Sequence, residues 1–153
     1  MFKTILVTGV FDILHREHIR LLNEAKKIGD ILIVGVESDV RVKKIKGLDR
    51  PINNQAQRVE NLRKVGLADD IFVLPEKFST PEDHRLLLQM VRPDILAVSA
   101  HTAFLEEKRK LMAEIGGEVR VVLPHNPNVS TTKELIKLKN NTELHQSNKQ
   151  VTE

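Results

Sequence analysis

Short runs of apolar and β-branched residues alternate along the chain with segments whose apolar positions recur at helical spacing. Five apolar runs predict strands, and they lie at residues 3–8, 30–36, 70–74, 94–99 and 118–123. Helical spacing marks the segments between them, at residues 15–29, 57–65, 79–91 and 104–117. Near-continuous apolar strands separated by helices predict an α/β fold, a doubly wound five-stranded parallel sheet of the Rossmann-like type.

Residue types that are typical of helix starts and ends predict some of the helix boundaries, and a change in composition predicts the domain boundary. Ser79, Thr80 and Pro81 form a helix-start pattern, and Gly29 is expected to end the first helix. A last helix is predicted over 130–139, so residues 1–139 are expected to form one domain. The remaining residues, 140–153, are too polar to pack and are predicted to be a disordered tail.

Composition excludes several classes of protein. The chain has 24 Lys plus Arg against 21 Asp plus Glu, and its only aromatic residues other than histidine are five Phe, so we expect no nucleic-acid partner. With no cysteine, disulfides, thiolate nucleophiles and the usual structural zinc sites are excluded. The longest apolar run, residues 31–36, is far too short to cross a membrane, and the N-terminus lacks a signal-peptide pattern. We therefore expect a soluble, cytoplasmic protein without a membrane partner.

Candidate functional residues follow the first predicted strand. In a doubly wound sheet, ligands bind at the carboxyl ends of the strands. Gly9 is expected to turn the backbone out of that strand, and Asp12 places a carboxylate in the following loop. His15 and His18 then lie three positions apart, on one side of a helix, so that their imidazoles can converge.

A second group of polar residues lies near the other end of the chain. Ser130, Thr131 and Thr132 come at the start of the last predicted helix. Free N–H groups and the helix dipole attract phosphate at such a position. Thr131 also forms a capping-box pattern with Glu134, which would explain these residues without a ligand.

Taken in order, these residues resemble the cytidylyltransferase-like nucleotidyltransferases, which include glycerol-3-phosphate cytidylyltransferases and heptose-phosphate adenylyltransferases. The resemblance covers residues 3–139 and rests on the order and spacing of several short motifs. Those motifs are the loop 9–12, the pair His15 and His18, Ser38–Asp39, Lys46–Gly47, Arg50–Pro51, Arg58 and the hydroxyls 130–132. The segment 47–62 is slightly more similar to the sugar-phosphate adenylyltransferases.

The resemblance implies nucleotidyl transfer from CTP or ATP to a small phosphorylated alcohol or sugar, with Mg²⁺ assisting the release of pyrophosphate. His15 and His18 would stabilise the transition state, Lys46 would approach from a flexible loop, and Arg58 would hold a phosphate bidentately. It also implies a homodimer. The nucleotide-binding residues would be Gly9, Val10, Phe11, Asp12, Glu17, Arg58, Ser99, His101, His125, Ser130, Thr131 and Thr132.

Three positions depart from the family pattern. Glu17 stands where the family has a glycine between the two histidines. It would repel a nucleotide, turn to solvent and pair with Arg20, or bind a cation that bridges the phosphates. The turn 99–102 lacks the glycine and aspartate usual in the fourth-strand loop, and His125 replaces an arginine. These departures either redefine the substrate or mark a relative whose transferase chemistry is weakened or lost.

Other interpretations remain open on the sequence alone. The chain could be a nucleotide-binding or regulatory module without turnover. It could also be a metal-assisted hydrolase that uses His15, His18 and either His101 or His125. Two motif groups also have structural interpretations: the first two histidines could only cap a helix, and residues 43–46 could be a solvated basic loop. Arg58 could be a surface partner of an acidic residue such as Glu60.

Overall fold

The computed structural model describes residues 2–124, and this range contains five strands and five helices. The strands are Thr4–Gly9 (β1), Ile31–Val36 (β2), Asp70–Val73 (β3), Ile95–Ser99 (β4) and Glu118–Leu123 (β5). The helices are Arg16–Lys27 (α1), Asp39–Lys46 (α2), Gln55–Val65 (α3), Pro81–Val91 (α4) and Leu105–Glu114 (α5). The predictions of a last helix, of a domain boundary at residue 139 and of a disordered tail lie outside the described residues.

All five strands are parallel and lie in the order β3-β2-β1-β4-β5, which confirms the predicted doubly wound sheet. The direction of winding reverses between β1 and β4. Strand β1 pairs with β2 along its whole length, but with β4 it pairs through Ile5 and Leu6 alone. The two central strands therefore separate towards their carboxyl ends, and they leave a crevice where such sheets bind ligands.

Apolar side chains on both faces of the sheet form two cores. Ile5 and Val7 of β1 belong to the core beneath α1 and α3, whereas Leu6 belongs to the core beneath α4 and α5. Gly29 has a packing role, because a Cβ there would lie 2.5 Å from Cγ1 of Ile5. Helix α1 ends at Lys27 with Ile28 as its C-cap residue, so Gly29 is the first residue beyond the helix, and the prediction that the helix ends there is confirmed.

Helix starts were predicted well at α4 and missed at α2. Pro81 begins α4, and the Thr80 side chain forms a capping box with Asp83, as the start pattern indicated. Helix α2 was not among the predicted helices, and one interpretation of its residues 43–46 was a solvated basic loop. It is a helix capped by Ser38, whose Oγ accepts a hydrogen bond from the Arg41 N–H at 3.1 Å. Only Val42 is buried in α2, so its sequence carries no helical period.

The helices between residues 2 and 124 are those of a compact α/β fold. None of them has the length and apolar character that crossing a membrane would require.

Candidate active site

The loop after β1 turns at Phe11 and not at Gly9. Phe11 adopts a left-handed backbone conformation with φ of 53°, although it is not a glycine. Its side chain is fully buried, and its ring meets the His18 ring edge-on with 5.3 Å between ring centroids. A left-handed conformation at such a residue costs about 1–2 kcal/mol and is often found where backbone position serves a site. The prediction that Gly9 makes the sharp turn is therefore corrected.

His15 and His18 stand together at the start of α1. His15 is the N-cap residue, and its Nδ1 accepts a hydrogen bond from the Glu17 N–H at 3.2 Å. His18 lies one turn on, and its Nδ1 accepts from the His15 N–H at 3.4 Å. The two rings are stacked, with centroids 3.8 Å apart and planes inclined by 26°. The convergence expected from their spacing is present, and so is the capping role.

Capping also fixes which ring nitrogen of each histidine carries the proton. A ring nitrogen that accepts a hydrogen bond holds no proton, so both rings that cap α1 carry their proton on Nε2. Both imidazoles can therefore donate through Nε2–H at the positive end of the α1 dipole. A purely structural interpretation and a catalytic one are compatible here, because capping orients the donors.

Asp12 anchors the loop after β1 to the loop before α3. Its Oδ1 accepts from the Asn53 N–H and its Oδ2 from the Ile52 N–H, both at 2.8 Å, while the Asn53 Nδ2 donates to the Asp12 carbonyl at 2.7 Å. The side chain of Asp12 is fully buried. With both oxygens engaged, this carboxylate positions the loop, and the prediction that it binds nucleotide directly is corrected.

Arg50 is a charged partner of Asp12, a role that the sequence analysis did not predict although it named the Arg50–Pro51 motif. It is 2% exposed, and its Nη2 lies 3.3 Å from the Asp12 Oδ2. Among the described residues, its Nε and Nη1 make no hydrogen bond. The sequence shows only an Arg-Pro pair 38 positions after Asp12, and no periodicity links the two.

Arg58 is buried, and its guanidinium forms hydrogen bonds with four separate parts of the fold. Its guanidinium donates to the carbonyls of Val10, Glu37 and Asn53 and to the Asp39 carboxylate, at 2.7–3.0 Å. The Arg58 side chain is fully buried. Four of its five N–H groups are used, so it cannot hold a phosphate bidentately, and that prediction is corrected. It is also not the surface partner of Glu60, which pairs with Arg63 at 4.0 Å.

Lys46 is the last residue of α2 and does not lie in a flexible loop, so the predicted approach from a loop is corrected. Lys43, Lys44 and Lys46 all lie in the last turn, where the helix dipole favours positive charge. This geometry explains the basic run structurally, and a contact between Lys46 and nucleotide stays a prediction.

Ser99, the last residue of β4, and His101, in the turn that follows, are two more of the predicted nucleotide-binding residues. The Ser99 Oγ accepts from the His101 N–H at 3.3 Å, and His101 is exposed. Thr102 in the same turn accepts a hydrogen bond from Lys108 of α5. The other predicted residues of the chain's second half, His125, Ser130, Thr131 and Thr132, lie outside the described residues.

Glu17 turns away from the histidines along α1. Its Oε1 and Oε2 accept from the Arg20 Nη1 at 3.0 and 3.2 Å, and its side chain is 20% exposed. A carboxylate in the first turn of a helix is also favoured by the dipole. The structure therefore has the arrangement in which Glu17 pairs with Arg20, and not the one in which it blocks the crevice.

Replacing Glu17 with Gly is expected to change nucleotide affinity by no more than about threefold, because a charge paired near the surface is screened. The same change should destabilise the fold by about 1 kcal/mol through lost helix propensity and first-turn charge. Calorimetric titration with CTP and ATP, with urea unfolding alongside, measures both effects. Glu24→Gly, on the same helix, is the matched control. A tenfold or greater gain in affinity for Glu17→Gly alone would mean that Glu17 does oppose the nucleotide.

No group of three or more His, Asp or Glu side chains within residues 2–124 is arranged to hold a metal ion. A three-histidine site built from His15, His18 and His101, as the hydrolase interpretation required, is therefore not formed. The version that uses His125 lies outside the described part of the chain.

The doubly wound sheet has a crevice at its switch point, and two oriented imidazole donors lie at the N-terminus of α1. In open sheets of this class, ligands bind at the switch point. Residues 6–133 match the model of one family, described as cytidylyltransferase-like. The chain belongs to this cytidylyltransferase-like family, as its motifs predicted.

Curated relatives agree with this assignment. The chain is 38% identical over 120 residues to the "Bifunctional protein HldE" of Nitratiruptor sp., covering 78% of this chain and 24% of that protein. It is 36% identical over 137 residues to the protein of the same name from Campylobacter jejuni subsp. doylei, covering 90% of this chain and 28% of the relative. The chain thus spans about a quarter of the length of these relatives.

Solved structures share the fold. A lipopolysaccharide core biosynthesis protein from Thermoplasma volcanium has a TM-score of 0.66 and 27% identity, covering 82% of this chain and 98% of that one. A pantoate-beta-alanine ligase from Francisella tularensis has a TM-score of 0.62 at 19% identity, covering 91% of this chain and 69% of the other, and it supports the fold alone.

Proposed function

We propose that this domain is a nucleotidyltransferase that transfers a nucleoside monophosphate from CTP or ATP to a small phosphorylated sugar or alcohol. An oxygen of the acceptor phosphate would bond to the α-phosphorus of the nucleotide, the bond to the β-phosphate would break, and pyrophosphate would leave with the electron pair. Such a displacement needs positioning and charge stabilisation more than covalent help.

The observation that carries this proposal is the orientation of the histidine pair. The stacked rings of His15 and His18 both carry Nε2–H donors at the start of α1. Phosphate oxygens that gain negative charge in the transition state are stabilised by donors fixed in advance. Because the backbone holds both rings through Nδ1, little reorganisation is needed when charge develops.

A phosphorylated sugar is the acceptor class we favour over an alcohol. The segment 47–62 is more similar to the sugar-phosphate adenylyltransferases, and a solved relative at 27% identity is a lipopolysaccharide core biosynthesis protein. The bifunctional relatives are about four times as long as the matched region, so their full activities are not carried over.

Mg²⁺ would arrive with the nucleotide. The Asp12 carboxylate is fully engaged by the 50–53 loop, so the triphosphate and water would supply most of the ligands of the ion. When bound, the ion would neutralise charge on the leaving pyrophosphate. A cytoplasmic location and a homodimer stay predictions, and sedimentation at micromolar concentration tests the second.

Release of pyrophosphate from CTP and from ATP, measured with Mg²⁺ across a panel of phosphorylated sugars and alcohols, tests this proposal. We expect release that depends on one acceptor and strongly prefers one nucleotide. Nucleotide binding in calorimetry without release under any combination would favour the alternative of a binding or regulatory module.

A further inference from the structure

Phe104, the residue before α5, departs from three local preferences at once. Its backbone is left-handed, with φ of 56°, a conformation that residues with a side chain disfavour. It is the N-cap residue of α5 but forms no side-chain cap hydrogen bond, although small polar residues are strongly preferred there. Its ring is 74% exposed, in a chain with only five Phe and no Tyr or Trp. Such departures are often found where a site requires them.

The left-handed conformation has a different setting at the other residues that adopt it. Among residues 2–124, the only other left-handed residues that are not glycines are Arg92 and Phe11. Arg92 is the C-cap residue of α4, where this conformation is common. Phe11 has a buried ring that packs against His18. Phe104 instead begins a helix and presents its ring to solvent, so the ring is available to a ligand.

The start of α5 lies across the switch-point crevice from the start of α1. Strands β1 and β4 are neighbours, and α1 packs on one face of the sheet whereas α5 packs on the other. The loops after these two strands therefore run to opposite sides of the crevice. Lys108, one turn after Phe104, lines the same small gap as Thr8 of β1, which places the start of α5 beside the end of that strand.

We propose that Phe104 is a stacking platform for the base of the nucleotide whose phosphates bind at His15 and His18. This inference rests on the proposed function and adds a contact with the base to it. A nucleotide has its phosphates at one end and an aromatic base at the other, so a nucleotide that spans the crevice brings its base to the wall opposite its phosphates. Because every base has a π face, the ring would raise the affinity for CTP and for ATP.

The charges on the two walls favour this direction of binding. Glu106 and Glu107 lie in the first turn of α5, next to Phe104, and only Glu106 has a printed ion pair, with Arg109 at 3.7 Å. Carboxylates beside the ring repel phosphate, whereas a base is uncharged at neutral pH. The opposite wall carries the imidazole donors at the positive end of α1. The phosphates therefore belong at α1 and the base at α5.

Tryptophan fluorescence tests the stacking platform without needing turnover. Because the chain has no Trp or Tyr, the variant Phe104→Trp carries a single fluorophore. Phe2→Trp is the matched control, since Phe2 is 75% exposed and precedes β1 at the opposite edge of the sheet. Each variant is titrated with CTP, ATP and inorganic triphosphate in the presence of Mg²⁺, with excitation outside the absorption of the bases.

We expect saturable quenching in Phe104→Trp by CTP, by ATP or by both, little quenching by inorganic triphosphate, and none in Phe2→Trp. No quenching by either nucleotide would overturn the stacking platform, and so would equal quenching by inorganic triphosphate or in Phe2→Trp. Quenching without pyrophosphate release in the wild-type protein would reject the proposed transfer and keep the platform. Pyrophosphate release in the wild-type protein without quenching in Phe104→Trp would reject the platform alone.

Phe104→Gly removes the ring and relieves the strained backbone, because glycine adopts the left-handed conformation freely and is accepted at N-caps. We expect its midpoint in urea to stay near the wild-type value. Its calorimetric affinity for the nucleotide should fall by about 5- to 150-fold, the range typical of a lost stacking ring. Its affinity for inorganic triphosphate should be nearly unchanged. Equal nucleotide affinity in wild-type protein and Phe104→Gly would contradict the stacking role.

Discussion

Replacing His18 with Ala is expected to lower kcat for nucleotidyl transfer by about 10²–10³-fold, the loss typical of one oriented donor to a transition-state oxyanion. His18 is 3% exposed and stacked on His15, so the change removes both its Nε2–H donor and the ring that holds its neighbour. KM for the nucleotide should change much less. Steady-state kinetics of pyrophosphate release measures both quantities.

His18→Asn is the variant that separates catalysis from capping. An Asn side chain at this position of α1 can still accept from the His15 N–H, as the His18 Nδ1 does, but it lacks the Nε2–H donor. We expect His18→Asn to unfold in urea at nearly the wild-type midpoint while losing as much turnover as His18→Ala. Turnover near the wild-type value in His18→Asn would show that the residue only caps the helix.

Replacing Arg58 with Ala is expected to reduce the free energy of unfolding by about 3–5 kcal/mol, because the change leaves buried polar groups without partners. The carbonyls of Val10, Glu37 and Asn53 would each lose a donor inside the protein. Urea unfolding at neutral pH measures the loss. Arg63→Ala is the control, since Arg63 is 64% exposed and should change the free energy by less than about 0.5 kcal/mol.

The Arg58 variant also distinguishes the two roles considered for this residue. If Arg58 held a phosphate, its loss would raise KM for the nucleotide strongly and affect stability little. In the structure, four hydrogen bonds of Arg58 join the loop after β1 to α2 and α3. We therefore expect a large loss of stability and a small change in KM for the nucleotide. A free energy of unfolding within 1 kcal/mol of wild type would contradict the structural role.

The sheet could be predicted from the sequence because its strands are buried on both faces and are apolar almost throughout. Runs such as Ile31–Val36 carry that signal locally, and the boundaries of β2 and β5 differ from the predicted ones by at most one residue. Helix α2 could not be predicted, because only Val42 faces the core and the rest of the helix is polar or exposed. Its cap at Ser38 was the one local signal.

The site was predictable only where its contacts are local in sequence. His15 and His18 are three residues apart, so helical geometry alone brings them together. Asp12 and Arg50 are 38 residues apart, and Arg58 reaches Val10 across 48. No sequence periodicity indicates contacts over such separations. The sequence therefore predicted nucleotide binding for Asp12 and Arg58, whereas in the structure both residues hold loops in place.

The most direct test of the account follows the α-phosphate itself. Wild-type protein is incubated with Mg²⁺, a phosphorylated sugar and CTP or ATP labelled at the α-phosphorus, and the labelled products are separated. The account predicts that the label moves to a nucleoside diphosphate-linked sugar, with one pyrophosphate released per product and no transfer without the acceptor. Label that stays in the nucleotide, or leaves as free nucleoside monophosphate whether or not the acceptor is present, would contradict it.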